Sequence, residues 1–426
     1  MINLKTKELK EGIKLHVINT DRYKTDITCL TLTTSLKRET ITKNALIPFM
    51  LRRGSTKFPN QYLINKELEN MYGSSLTCSL DKTGDNAVLK LYIKSIDNDY
   101  ALDNENILKM NLECLLDVVF NPIIENGYLK EEFLDIEKEN LKMVINSKID
   151  DKDSYAYDSC ISSMYNDEGF GLYKYGYVED LDNIDIKDIT EYYRWLINNS
   201  RIDIYVSGKK SLDEVTEIIK SCDSINELKS RKPEYILPDL CTNSVQTVDN
   251  AKEIIENMDV TQGKLVIGLD ITDENKEVPY ISLVYNAILG DGANSMMFQN
   301  VREKEGLAYS SRSTLVKTKK NIFIRCGIQI ENYKKALDLI KVQLENIRTG
   351  KFTDTDIENA KIYLISSIKD LEEEQETELI YVMGRQILDS DLSIEEYVNK
   401  VNNVTREEII ELANSIKINT IYFLRN

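Results

Sequence analysis

Arg302 and Tyr309 stand seven positions apart in the segment VREKEGLAYS, residues 301–310, shortly after the turn residues Gly290, Asp291 and Gly292. A guanidinium offers a planar fork of N–H donors that fits a carboxylate or a peptide carbonyl. A tyrosine hydroxyl can donate to an oxygen on which negative charge is building. Both groups stabilise charge, and neither generates a nucleophile. A base, a metal or an activated side chain has to come from elsewhere, and the chain offers few. His16 is its one histidine. The seven cysteines (Cys29, Cys78, Cys114, Cys160, Cys222, Cys241 and Cys326) are scattered and never spaced C-x-x-C. S-x-x-K occurs at Ser79 with Lys82, Ser207 with Lys210 and Ser366 with Lys369, without the companion motifs of a serine–lysine enzyme. There is no G-x-S-x-G elbow and no P-loop spacing. A second reading of the pair needs no chemistry: Arg302 exchanging ion pairs with Glu303 and Glu305, and Tyr309 a half-buried strand residue.

The elements that must position these residues recur at a spacing of roughly 235 residues. NALIPFMLRRGS, MYGSSLTCSL and NAVLKLYI follow one another in the first half. ISLVYNAILGDG, SMMFQNVREKEG, LAYSSRSTL and NIFIRCGI follow in the second. This places Tyr72 opposite Tyr309 and residues 88–93 opposite residues 323–328. Leu108, Leu112, Leu115 and Val119 repeat at helical spacing up to Asn121 and Pro122, as do Leu337, Ile340, Leu344 and Ile347 up to Gly350. Ile13, Leu15 and Val17 alternate with Lys14 and His16 as in a strand with His16 on its polar face. Pro233 and Pro238 mark a semi-rigid linker. The expected fold is α+β: two homologous domains, each a mainly antiparallel sheet with helices on one face. The expected boundaries are 1–228 and 246–426 around a linker at 229–245.

The VREKEGLAYS block resembles the carboxy-terminal domain of the pitrilysin and insulinase family of inverted zinc peptidases. In that family such an arginine and tyrosine reach a peptide bound at zinc, and two domains form half of a clamshell. The resemblance also says where zinc belongs, namely on an H-x-x-E-H helix of the first domain. With the chain registered on Gly54 and Ser55, Ala45 and Phe49 fall at the histidine positions and Pro48 at the glutamate base. Glu137 and Lys138 resemble the pair that precedes the third ligand by seven positions, which is Val144 here. None of the four can serve a metal, and one histidine cannot build a two-histidine site. Gly73, Ser74, Ser75 and Leu76 match the strand edge at which the family presents extended peptide. The resemblance therefore implies a non-zinc subunit without a cofactor of its own. It would pair with a homologous zinc-bearing subunit and lend Arg302 and Tyr309 to that partner's site and its peptide substrate. The alternative is a structural or peptide-binding homologue with no part in hydrolysis.

Composition agrees with a soluble protein of two domains. A net charge of −17 repels nucleic acid and anionic membranes. Scattered cysteines imply free thiols and a reducing cytoplasm. The start of the chain carries neither a signal-peptide pattern nor an apolar anchor.

Overall fold

The structure of the protein, a computed structural model, describes residues 2–102, 105–226, 228–238, 240, 250–390 and 392–426. Its principal strands are β1 (Leu4–Lys10), β2 (Ile13–Asn19), β3 (Thr25–Ser35), β4 (Ser75–Thr83), β5 (Asn86–Ile96), β6 (Arg201–Gly208), β7 (Lys252–Asn257), β8 (Gly263–Ile271), β9 (Ala308–Val316), β10 (Asn321–Ile328) and β11 (Ile416–Arg425). The helices that matter here are α1 (Ile41–Leu51), α2 (Ile107–Phe120), α3 (Glu131–Asn146), α4 (Lys152–Tyr165), α5 (Ile186–Asn199), α6 (Val278–Leu289), α7 (Tyr333–Arg348), α8 (Asp354–Asp370), α9 (Gln375–Ile387) and α10 (Arg406–Ser415). Two compact units result. The first is Met1–Asn146 with Leu172–Leu237 and Glu372–Ile387; the second is Ser147–Gly171 with Pro238–Leu371 and Leu388–Asn426.

In the first unit, alternation of apolar residues turns Ile13, Leu15 and Val17 of β2 into the core, where all three are fully buried. The sheet order is β1-β2-β6-β3-β5-β4, with β2 and β6 parallel and the remaining pairs antiparallel. Helices α1, α2, α3 and α5 cover one face. Leu108, Leu112 and Leu115 of α2 point into it, and the Asn106 side chain caps that helix by accepting from the Lys109 N–H. The opposite face is also dry, because Leu379, Val382 and Met383 of α9 close over Ile18, Ile27, Cys29 and Tyr205. Gln375 locks the start of α9 to the sheet by donating to the carbonyls of Thr25 and Ser207.

The second unit repeats this plan. Its order, β9-β10-β8-β11-β7, matches β4-β5-β3-β6-β2, down to one parallel pair, β7 with β11, at the same place. Helices α6, α7, α8 and α10 bury the main face. Helix α4 covers the other, with Cys160, Ile161 and Met164 against Val266, Phe323 and Tyr422. Its approach is close enough that a Cβ on Gly268 would lie 2.2 Å from Met164 Sδ.

The α+β class and the two sheet-bearing halves are as expected, with three refinements. Helices are not confined to one face, because central strands such as β3 are buried on both sides and each sheet takes one further helix. That helix is drawn from the other half of the sequence, so the units differ from a single cut at 229–245. Residues 239 and 241–245 of the expected linker lie outside the described residues. The part before them is a strap fastened to the first unit: Arg231 N–H donates to Glu11 O, Glu234 N–H to Asn199 O, and Ile236 N–H to the Asn86 side chain. The two tyrosines are also not equivalent. Tyr309 lies within β9, whereas Tyr72 occupies a left-handed turn (φ 58°) before β4 begins at Ser75.

His16 is a further correction. It is fully buried, hydrogen-bonded through Nε2 to Asp203 and through Nδ1 to Thr6, and stacked 4.6 Å from the Tyr205 ring. Helix α9 covers the sheet face that carries Tyr205, so the polar side of the strand pattern ends up inside.

Candidate functional site

Helix α1 is buried nearly all round, so its residues are placed by packing rather than by an exposed polar face. Spacing i, i+4 sets Ala45 and Phe49 on one side of it. Both line a pocket of about 520 Å³, and Val144 of α3 lines the same pocket. The three positions assigned to zinc ligands thus come together in space. Pro48 lies between them in the chain, buried inside the helix, where it offers neither a carboxylate nor an N–H. A methyl group, a phenyl ring and an isopropyl group supply no lone pair to a metal, so these residues do not fit zinc.

The pocket is also lined by a hydrogen-bonded acid and an arginine. Glu137 is buried and accepts from Arg53 Nε at 2.5 Å and from Asn140 Nδ2 at 3.2 Å. Arg52 lines the pocket, its guanidinium 5.9 Å from the Phe49 ring centroid. Cys78 of β4 lines it too, but burial pushes its thiol up to about 11, a shift that Arg52 opposes and Glu137 reinforces. It stays protonated at neutral pH and is a weak nucleophile.

Strand β4 is an edge of its sheet and pairs with β5. Gly73 (φ +75°) and Tyr72 make the turn into it, where a β-carbon on Gly73 would meet open space. Ser74 is buried and donates to Met71 O; Ser75 is exposed and Leu76 half-buried. These four residues therefore lie at the start of an edge strand that also borders the pocket through Cys78 and Ser79.

In the second unit, Arg302 sits in a π-helical segment, Met297–Lys304. Gly306 (φ +60°) ends it, with Gly306 N–H donating to Arg302 O and Leu307 N–H to Val301 O. That closure turns the chain directly into β9. There the pairing slips between Ala308 and Ser310, so Tyr309 is the extra residue of a bulge on an edge strand. It is 65% exposed, and its hydroxyl accepts one long bond, 3.4 Å from Gln329 Nε2. The Arg302 side chain is 43% exposed, lies over the Phe298 ring at 4.6 Å and makes one long ion pair, 3.6 Å to Glu303. Glu305 pairs instead with Lys335. In the preceding turn Asp291 accepts from Tyr363 Oη at 3.0 Å, and burial raises its carboxyl.

Sequence reasoning missed Arg52. A signal for it existed, since residues 45, 49 and 52 follow the i, i+4, i+7 spacing of one helical face.

A duplicated α+β unit, with apolar residues at the first-unit positions assigned to zinc and an arginine–tyrosine pair in the second unit, resembles the zinc peptidases without their metal motif. Residues 183–364 match the family described as the peptidase M16 inactive domain. The chain is 28% identical over 416 residues to a probable inactive metalloprotease, YmfF, of Bacillus subtilis, covering 97% of this chain and 96% of that protein. A conserved protein from Enterococcus faecalis V583 superposes with a TM-score of 0.89 at 28% identity, covering 100% and 99% of the two chains. A peptidase M16 inactive domain from Pseudomonas fluorescens shares the fold, with a TM-score of 0.78 at 16% identity and coverage of 100% and 98%. The chain thus resembles the M16 peptidases, and residues 183–364 match that family's inactive domain.

Proposed function

We propose that the chain is the non-zinc subunit of a heterodimeric metallopeptidase. It pairs as half of a clamshell with a homologous zinc-bearing subunit, and Arg302 and Tyr309 serve peptide bound at that partner's metal. The observation that carries this reading is Tyr309: a mostly exposed tyrosine on a bulge of an edge strand, its hydroxyl engaged by one 3.4 Å bond. Bulges re-aim side chains, and a phenol with so little structural use is available to a substrate. In the reaction the partner's metal supplies the nucleophile. Tyr309 donates to the carbonyl oxygen as it becomes an oxyanion, and Arg302 hydrogen-bonds a neighbouring carbonyl or carboxylate of the peptide. Extended peptide is held along the strand edge that begins at Gly73, Ser74, Ser75 and Leu76. A reducing cytoplasmic setting suits the six described cysteines, which are free and buried; Cys241 lies outside the described residues. Among the described residues no helix is long and apolar enough to cross a membrane.

The test is reconstitution. Mixing the chain with a zinc-bearing homologue from the same cell is expected to give peptidase activity that neither shows alone, and Arg302→Ala or Tyr309→Phe to lower it at least about tenfold. Undiminished activity with both substitutions would leave the structural or peptide-binding role, which the packing of Arg302 over Phe298 also fits.

A further inference from the structure

Helix α6 is apolar along most of its length and packs into the core of the second unit, so the polar groups it buries need partners there. Tyr285 breaks that rule. The residue is 1% exposed, yet its hydroxyl has no hydrogen-bond partner among the described residues. Buried tyrosines elsewhere in the chain find one: Tyr192 donates to the Asn44 side chain and Tyr193 to the carbonyl of Val119. Phenylalanine would fill the same space without stranding a donor. Tyr285 lines a pocket of about 400 Å³, bounded by α6, the second half of α7 and the corner where α10 passes into β11, and its unbonded oxygen is open to that space.

Three charged groups line the same pocket. Arg348 donates from Nε to Ala413 O at 3.5 Å, from Nη2 to Ile416 O at 3.2 Å and from Nη1 to Glu345 at 3.0 Å. Those bonds hold the guanidinium across the corner and leave one N–H unused on each terminal nitrogen. Its charge is felt at the phenol: burial raises the Tyr285 hydroxyl, and Arg348 opposes the rise. The phenol therefore stays protonated at neutral pH and is available as a donor. Lys341 is exposed at the rim and has no ion-pair partner among the described residues. With Lys341 and Arg348 set against Glu345, the pocket carries one net positive charge in a chain of −17. The rest of the wall is aliphatic, from Leu344, Ile416 and Ile418, and Val342 stands 50% exposed.

We propose that this pocket binds a small organic monocarboxylate with an apolar body, of the size of a medium-chain fatty acid. The carboxylate accepts from the Tyr285 hydroxyl and the unused N–H groups of Arg348, Lys341 meets it from the rim, and the hydrocarbon lies along Leu344, Ile416 and Ile418. The volume lies within the range of small-ligand sites. Phosphate would bring more negative charge past Glu345 than the pocket can balance and would leave the aliphatic wall wet. A neutral alcohol would use the phenol and leave the cations unmatched. The site belongs wholly to the second unit and uses neither Arg302 nor Tyr309, so it stands or falls separately from the reconstitution experiment.

Isothermal titration calorimetry of the purified full chain with sodium octanoate tests it, with 1-octanol, acetate and phosphate as comparisons. Octanoate is expected to bind with a Kd below about 1 mM. Octanol should bind at least about tenfold more weakly for want of a charge-assisted hydrogen bond, and acetate likewise for want of apolar area to bury. Phosphate should also bind at least about tenfold more weakly, since its second charge is unmatched. Tyr285→Phe removes a hydroxyl that bonds to nothing in the folded chain, so the melting temperature should hold while octanoate affinity falls at least about fivefold. Lys341→Gln, at an exposed position, should weaken octanoate about threefold and leave octanol unchanged. Circular dichroism melts check that each variant is folded. Failure of octanoate to bind at millimolar concentration overturns the proposal, as does full affinity retained in both folded variants. Octanol or phosphate binding as tightly as octanoate also overturns it, by showing that the pocket selects for apolar surface or for charge alone.

Discussion

Reintroducing four side chains should return a metal to this protein. Ala45, Phe49 and Val144 border a single pocket, so Ala45→His, Phe49→His and Val144→Glu would direct two imidazoles and a carboxylate into it, with Pro48→Glu restoring the base. The stability of the metal-free variant follows from opposing effects. Removing proline from the interior of α1 gains up to about 3 kcal/mol, since it returns an N–H and relieves the clash with the carbonyl of Asn44. Ala45 is fully buried, and enlarging it costs about 1–3 kcal/mol, less whatever the adjoining space absorbs. Placing a carboxylate at the buried position 48 adds a further cost, so the metal-free variant should melt below the unaltered chain. Zinc at about 100 times its dissociation constant then adds about 2.7 kcal/mol. For a unit of this size that raises the melting temperature by about 5–10 °C. Scanning fluorimetry with and without zinc, alongside metal analysis of the desalted protein, measures both quantities. Omitting Pro48→Glu should leave the zinc-dependent rise intact, because the base is not a ligand, whereas omitting Val144→Glu should reduce it. A folded quadruple variant that melts at the same temperature with and without zinc would refute the assignment of these positions.

Other perturbations separate structure from chemistry. Tyr309→Phe removes a hydroxyl held by one 3.4 Å bond, so urea denaturation should shift by less than about 0.5 kcal/mol even where reconstituted activity falls tenfold. Gly268→Ala forces a methyl against Met164 Sδ and should cost about 1–3 kcal/mol, with Met164→Ala in the same chain recovering part of the loss; additive effects would count against that contact. Burial, reinforced by Asp97 and opposed by Lys209 and Lys210, raises the Asp26 carboxyl to about 7. The folded state therefore binds more protons than the unfolded state between about pH 4 and 7, and this group's contribution weakens as pH rises through that window. Asp26→Asn should gain on the unaltered chain over the same interval and hold its advantage above it. A difference that does not change with pH, measured by urea denaturation across the series, would contradict this.

Much of this fold was legible because periodicity is a local property. Leu108, Leu112, Leu115 and Val119 stop at Asn121 as a helix must, and the duplicated order of segments foretold two sheets of matching topology. The second helix of each sheet was not legible. Residues 152–165 and 375–387 carry ordinary amphipathic patterns, and nothing local says which sheet will receive them. The same gap misled the reading of His16, whose strand looks half-polar until α9 covers the Tyr205 face. At the site, helical spacing correctly gathered Ala45 and Phe49, and a motif offset added Val144. Arg52 escaped because an arginine at a helix end ordinarily reads as solvated, and its lack of a partner is visible only once the surrounding elements are in place. The bulge at Tyr309 was equally hidden, since a one-residue slip depends on β10 and not on β9 alone.

The crossing of α4 and α9 has a consequence for how the protein comes into being. When β6 has left the ribosome the strands of the first sheet have all been made, yet one side of that sheet stays wet until Gln375 and the residues after it emerge. The nascent chain must therefore carry an incomplete sheet through the synthesis of most of the second unit, exposed to chaperones and to mispairing for that interval. Nor can the gene be divided near residue 240 into two self-sufficient products. Each fragment would be born lacking the helix that its counterpart encodes, and only their co-expression should yield soluble material.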